Sequence, residues 1–342
     1  RMPDLASRCP RHFTKIQTSQ SKAIQMIMIE NRVVSLSSHT KTVKLMGNQF
    51  EFVACHQEEA VCHKAILSGI DEVKRIEALL TTFSDTSYTA KMNQNAGIKP
   101  VEVPQEIIQI IERSKKISQL TDGAFDITYG GIDMNFWNFN SAMGTLPDPK
   151  KALYATRLVN YQNVIIDEKR STVFLKETGM RLGFGGVGKG YAADMAKKVM
   201  KNIGIEHGLV NASGDLTAWG NQVNGRPWTI GVANPNFKKH IIGRFEIHNG
   251  SVATSGDYEK YVTIAGKRYS HTINPKTGMP AEGMKSVTII APFAELCDAL
   301  TTPIFIMGVD TGLHLINQIH GVEGILIDNN NKVYNSKNIK MS

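Results

Sequence analysis

LGFGGVGKGYAAD, residues 182–194, places five glycines and one lysine between an apolar, strand-like run and an amphipathic helix. Glycine lets the backbone approach a ligand closely and adopt positive φ, and the free N–H groups at the start of the following helix attract phosphate oxygens. The stretch therefore reads as an anion-approaching turn with one cation, Lys189. Two better-known phosphate motifs fit it poorly. Gly183, Gly185 and Gly188 spell G-x-G-x-x-G, but the acid expected about 20 residues later at a strand end is replaced by Glu206, which begins the apolar run IEHGLV. Gly183 to Gly190 nearly spells a P-loop, but Gly190 stands where a Mg²⁺-holding hydroxyl belongs. A turn that only packs a helix on a sheet is the alternative at this point.

The 342 residues are 42% hydrophobic and 20% charged, enough for one large or two modest globular domains. The net charge of +8 suits anionic ligands. With no Lys/Arg block interleaved with aromatics, a nucleic-acid groove is not expected. The apolar runs read as strand-sized or mixed, so no transmembrane segment is expected, and the start lacks the apolar core of a signal peptide. Four scattered cysteines do not make a disulfide framework. Cys55-His56 and Cys62-His63 suggest zinc, but Cys62 and His63 fall within an amphipathic helical pattern, which disfavours it.

In chain order, residues 1–40 read as a tail or leader remnant and 41–342 as one domain. TVKLMGNQFEFVAC reads as a strand pair around Gly47-Asn48, followed by a helix to about residue 81 and the polar loop FSDTSYTAKMNQNAG. Pro104 is expected in the first turn of a second helix, with Ile107, Ile108, Ile111 and Ile117 buried. GAFDIT reads as a short strand, and Asp148-Pro149 starts a helix to about residue 160. NVIID and TVFLK lead as hairpin strands into the glycine loop, whose helix, 189–203, buries Met195, Val199 and Met200. Strands then dominate, before helices at 294–307 and 310–319 and a final strand, GILID. The pattern is α+β: a single domain with a largely antiparallel sheet and flanking helices.

Two further clusters carry chemistry. In CDALTTPIFIMG, Asp298 and Thr302 lie i, i+4 on one helix face, oxygen ligands of the kind Mg²⁺ takes. A structural role, Asp298 at a helix start and Thr302 in the core, competes with that reading, and Pro303 is expected to kink the helix. In HTINPKTGMPA, His271 ends a strand before a tight Asn-Pro-Lys-Thr-Gly turn, where either a functional or a hydrogen-bonded structural histidine fits.

Taken together, KLMGNQFEF, FSDTSYTAKMNQ, TDGAFDIT, the loop carrying Trp137, LGFGGVGKGYAAD, NASGD, TSGDYEKY, HTINPKTGMPA and SVTIIAPFAELCDALTTPIFIMG resemble, in order and type, the blocks of the ApbE family of FAD:protein FMN transferases. The resemblance implies a T-fold-like domain and Mg²⁺-dependent transfer of FMN from FAD to a threonine hydroxyl of a partner flavoprotein, with release of AMP. It implies that Asp298, Thr302 and the Gly188 carbonyl bind Mg²⁺, and that Met46, Phe83, Ala124, Phe125, Asp126, Gly185, Lys189, Tyr191, His271 and Thr272 line the FAD site. His271 is the candidate base, histidine being the side chain that titrates near neutrality. A cell-envelope or periplasmic location is the family expectation. The family pattern often carries aspartate at Gly183, alanine at Gly188 and Pro303, and tyrosine at Phe83. A FAD pyrophosphatase and a non-catalytic flavin-binding protein are the alternatives.

Overall fold

In the computed structural model, which describes residues 35–133, 135, 137, 145–234, 237–256 and 261–339, β1 (Ser37–Leu45) and β2 (Asn48–His56) form a hairpin closed by Met46 and Gly47. Both turn residues have positive φ, the condition for a two-residue turn that matches strand twist. The tail expected over 1–40 lies outside the described residues up to 34, and the first strand begins at Ser37.

The hairpin starts an eight-stranded sheet in which every pairing is antiparallel. Its order is β1, β2, β6 (His207–Ala212), β7 (Asp215–Trp219), β10 (Asn249–Gly256), β13 (Met284–Ala291), β14 (Glu323–Asp328) and β15 (Val333–Asn335). Three long helices pack on one face: α1 (Glu59–Leu80) on β1 and β2, α5 (Gly188–Asn202) on β6 and β7, and α6 (Ala294–Ile316) on β10 and β13. Between helices and sheet lies the main core, in which Phe50, Phe52, Ile76 and Trp219 are fully enclosed. The opposite face is covered by the hairpin of β8 (Trp228–Asn234) and β9 (Phe237–Ile247), whose Ile230, Phe245 and Ile247 pack on Val53, Leu209 and Val252. Apart from this sheet, β5 (Thr172–Leu175) pairs with β3 (Val101–Glu102) and β4 (Val164–Asp167), and β11 (Tyr261–Ile264) with β12 (Lys267–Ser270), all antiparallel, so the largely antiparallel α+β fold is as expected.

Several local expectations are corrected. The polar loop after α1 contains α2 (Tyr88–Gln94), because the Ser87 hydroxyl accepts from the Ala90 N–H and caps it. Pro104 is the residue before α3 (Gln105–Leu120), not inside it, with ψ of 146°. GAFDIT is a series of turns held by the Asp126 carboxylate, not a strand. The helix α4 (Pro149–Ala155), capped by Asp148, stops before residue 160. In α5 the enclosed face is Ala192, Ala193, Ala196 and Met200, while Met195 and Val199 are half-buried.

The helix α6 is 23 residues long with a mean hydropathy of 1.4, values that would suit a membrane span by composition. Its apolar face, including Leu300, Ile304 and Phe305, is instead buried in a core cluster with Val287 and Ile289 of the sheet. The break falls at Gly308, with φ 78° and ψ −177°, and not at Pro303.

Candidate active site

The glycine loop ends at the α5 N-terminus, and α6 crosses directly against it. A Cβ on Gly190 would lie 2.2 Å from the Ala294 carbonyl oxygen, so only glycine permits this approach. That contact explains why no hydroxyl follows Lys189. Neither helix has a side-chain cap of its own. Asp298 of α6 accepts from the Gly190 N–H of α5 at 3.2 Å, and Asp194 of α5 accepts from the Ala294 and Glu295 N–H groups of α6, each at 3.0 Å. Each aspartate thus satisfies orphan donors at the other helix's start and meets its positive dipole end.

Two adjoining cavities open on this junction and share Thr82, Gly183 and Gly185. Their volumes, about 790 and 710 Å³, each match the size of an ordinary small-molecule site. The first is the charged lobe, lined by Met46, Gly188, Lys189, Ser213, Asp215 and Asp298. The second is the aromatic lobe, lined by Ala124, Phe125, Tyr129, His271, Thr272 and Thr302 among others.

In the charged lobe, Lys189 Nζ sits 2.8 Å from Asp215 Oδ2 and 3.7 Å from Asp298 Oδ1. Both carboxylates are buried, at 5% and 6% exposure, so two negative groups face one ammonium out of solvent. Burial pushes the Asp298 carboxyl up, and Lys189 and the Gly190 N–H oppose that shift without cancelling it. Excess negative charge in an enclosed set of carboxylate, hydroxyl and carbonyl oxygens fits a hard divalent cation. Asp298 and Gly188 share this lobe; Thr302 is one helical turn from Asp298 but opens on the adjoining one. The buried threonine hydroxyl is that of Thr301, which accepts from Ser255 and donates to the Asp298 carbonyl.

The β-turns supply the rest of the wall. Met46 and Ser213, both non-glycine residues at positive φ, lie at the β1–β2 and β6–β7 turns and face the charged lobe. Such backbone conformations are costly and persist where the surroundings impose them. Phe83 stands at the rim with 99% of its surface exposed, a large aromatic face free to stack.

In the aromatic lobe, Tyr129 is held by the Ile273 N–H, which donates to its hydroxyl at 3.2 Å, next to His271. Trp137 donates from Nε1 to the Gly278 carbonyl at the end of the Asn-Pro-Lys-Thr-Gly turn.

Two residues assigned to the FAD site by resemblance have other engagements. Asp126 lines the aromatic lobe, but its carboxylate is occupied: Oδ1 accepts from the Thr128 N–H and hydroxyl, and Oδ2 from the Tyr161 N–H. Tyr191 lines neither lobe. Its hydroxyl donates to Glu106 at 2.6 Å, its ring lies under Arg113, and burial with the neighbouring Glu106 holds its proton on. Sequence reasoning passed over Ser213 and Asp215, although both stand in the quoted NASGD block. Nothing near Asp215 in sequence marks it as the partner of Lys189.

Comparison with known proteins accords with this architecture. The ApbE family model matches residues 46–326. A FAD:protein FMN transferase of Klebsiella pneumoniae is 31% identical over 308 residues, covering 90% of this chain and 92% of that protein. One from Escherichia coli is 30% identical over 248 residues, with 71% and 70% covered. The crystal structure of the ApbE protein of Thermotoga maritima superposes with a TM-score of 0.79 at 29% identity, covering 88% of this chain and 97% of that one. The flavin transferase ApbE of Vibrio cholerae shares the fold, with a TM-score of 0.78 at 22% identity and 88% and 98% covered. By sequence along most of its length and by fold, the chain belongs to the ApbE family.

Proposed function

We propose that this transferase moves FMN from FAD to a threonine hydroxyl of a partner flavoprotein and releases AMP. The observation that carries the reading is a cleft of two lobes, one charged and one aromatic, joined at the glycine loop. FAD is likewise two unlike halves joined by a pyrophosphate. The glycine loop and the α5 N-terminus line the join between the two lobes, where that pyrophosphate would lie.

In the reaction, the acceptor hydroxyl oxygen bonds to the FMN phosphorus while the bond from that phosphorus to the bridging oxygen breaks. The AMP phosphate leaves with the bonding electrons. The hydroxyl proton passes to the His271 imidazole, which lines the aromatic lobe. Lys189 and the glycine-loop N–H groups orient the phosphates and oppose the charge that grows on them. Phe83 and Met46 at the rim supply apolar contact for the ligand's rings. Asp298, Thr302 and the Gly188 carbonyl would hold Mg²⁺. When bound, the ion supplies charge neutralisation at the pyrophosphate oxygens.

The test is incubation of the chain with FAD, Mg²⁺ and a flavoprotein acceptor. Covalent flavin on the acceptor with equimolar AMP is the expected result. Free FMN with AMP would mean a pyrophosphatase in which water is the nucleophile, and unchanged FAD would mean binding alone.

A further inference from the structure

Far from the cleft, three side chains point ligand atoms at one another across the junction of β1 and α1. His39 lies on β1, the edge strand of the sheet, and Glu59 and His63 are one turn apart at the start of α1. His39 Nδ1 is 3.8 Å and His63 Nε2 3.5 Å from the same carboxylate oxygen, Glu59 Oε1. All three atoms fall within 4.8 Å of one another, and the two imidazoles meet edge to face.

The hydrogen bonding around His39 decides what these atoms present. The Ser37 hydroxyl donates to the His56 carbonyl at 3.0 Å, which commits its only proton. Its 3.3 Å contact with His39 Nε2 must then have the ring N–H as donor. In the neutral ring that leaves Nδ1 as a bare lone pair, aimed at a carboxylate oxygen that is also an acceptor. Lone pairs converging in this way repel unless a cation lies between them. An outer hydrogen bond that fixes the tautomer and orientation of the ring is also what metal-bound histidines ordinarily have.

We propose that His39, Glu59 and His63 form a binding site for a borderline divalent transition-metal ion of the zinc class, distinct from the hard-cation site in the cleft. Two imidazoles and one carboxylate are a zinc donor set, with water completing the tetrahedron. Zinc–ligand bonds of about 2.0–2.2 Å at tetrahedral angles put donor atoms about 3.3–3.5 Å apart. The two separations to Glu59 Oε1, 3.8 and 3.5 Å, need only a small contraction, and the two histidine nitrogens close from within 4.8 Å. Glu59 and His63, 67% and 59% exposed, can move at little packing cost, while His39, 22% exposed, is the fixed point.

The buried thiols take no part, since Cys62 points inward to the Ala54 carbonyl. The zinc signal in the sequence is therefore not the Cys-His dipeptides but a histidine on one strand and a Glu-x-x-x-His pair on the next helix. Bound metal would tie β1, which among the described strands pairs with β2 alone, to the helix behind it. The site lies at the ends of β1 and α1 opposite Met46 and Leu80, roughly 20 Å or more from the cleft by strand and helix rise.

The test uses the untagged chain stripped with chelator and titrated calorimetrically with Zn²⁺, with Co²⁺ as a spectroscopic substitute. One ion per chain is expected, with a visible Co²⁺ ligand-field band, and saturating Zn²⁺ should raise the unfolding midpoint. His63→Ala, and the nearly isosteric Glu59→Gln, should each weaken Zn²⁺ binding at least about tenfold. The pair His39→Ala with His63→Ala should abolish the Co²⁺ band. FMN transfer should be unchanged in all of these variants. Absence of saturable Zn²⁺ binding by the parent chain overturns the proposal, as does undiminished affinity in the double variant, which would put the metal elsewhere.

Discussion

Asp194 and Asp298 cap each other's helices at the same crossing, yet only one of them has charge to spare. Burial pushes both carboxyls up. Asp194 gives one oxygen each to the Ala294 and Glu295 N–H groups and lines neither lobe. Asp298 gives one oxygen to the Gly190 N–H, while the other turns toward Lys189 and the charged lobe. The same residue type, within the first two turns of each of two packed helices, caps the neighbouring helix in both cases but opens on a cavity in only one. Residual valence and access make the difference, not burial.

That contrast can be broken by substitution. Asp298→Asn keeps an oxygen for Gly190 and removes the charge, so we expect a fall in FMN transfer of at least about 100-fold, close to 2.7 kcal/mol. The urea midpoint should be unchanged or slightly raised, because an enclosed charge has been removed while Asp215 still pairs with Lys189. Asp194→Ala should do the opposite. Two N–H groups at the α6 start lose their acceptor, and stability should drop by about 2–3 kcal/mol in urea unfolding, with a much smaller loss of transfer rate per folded molecule.

Glycines at the crossing sharpen the point. Gly190→Ala drives a methyl into the Ala294 carbonyl and should cost about 1–3 kcal/mol. Gly188→Ala meets side chains no closer than 3.6 Å and should be nearly neutral by the same measurement. Thr302→Ala should slow transfer about tenfold or less, a neutral hydroxyl contributing less to a hard cation than a carboxylate.

The smallest effect concerns pH. Hydrogen bonds from Arg75, against the opposing pull of burial, and a further one from Tyr191 hold Glu106 below the usual carboxylate range. A lowered carboxyl stabilises the fold above its unfolded value and loses that contribution as the pH falls through its folded value. Glu106→Gln should therefore cost about 0.5–1 kcal/mol at neutrality, since Arg75 is half-exposed. That cost should fade as the pH falls through the lowered value of the Glu106 carboxyl, as followed by thermal melts across pH.

Much of this was legible in the sequence because local chemistry specified it. The β1–β2 turn, the Ile107/Ile108/Ile111 stripe and the glycine loop are each set by residues adjacent in sequence; the stripe and the loop lie where periodicity and turn chemistry put them, and the turn, expected around Gly47-Asn48, falls one residue earlier at Met46-Gly47. What stayed hidden depends on distant partners. Asp215 matters because the β6–β7 turn brings it to Lys189, and α2 exists because Ser87 caps it within an otherwise polar run. GAFDIT alternates like a strand, but Asp126 spends its carboxylate on a turn. The kink expected at Pro303 falls instead at Gly308, between the helices expected at 294–307 and 310–319, where glycine can take a backbone angle that proline cannot.

Asp298 is the proposed charged ligand of a divalent cation. The direct measurement is the Mg²⁺ dependence of FMN transfer in the parent chain and in Asp298→Asn, both shown folded by circular dichroism. The parent should saturate with Mg²⁺, and the variant should need at least about tenfold more ion for half its own maximal rate. Equal half-saturation, or transfer by the variant at the parent rate in limiting Mg²⁺, would contradict the account.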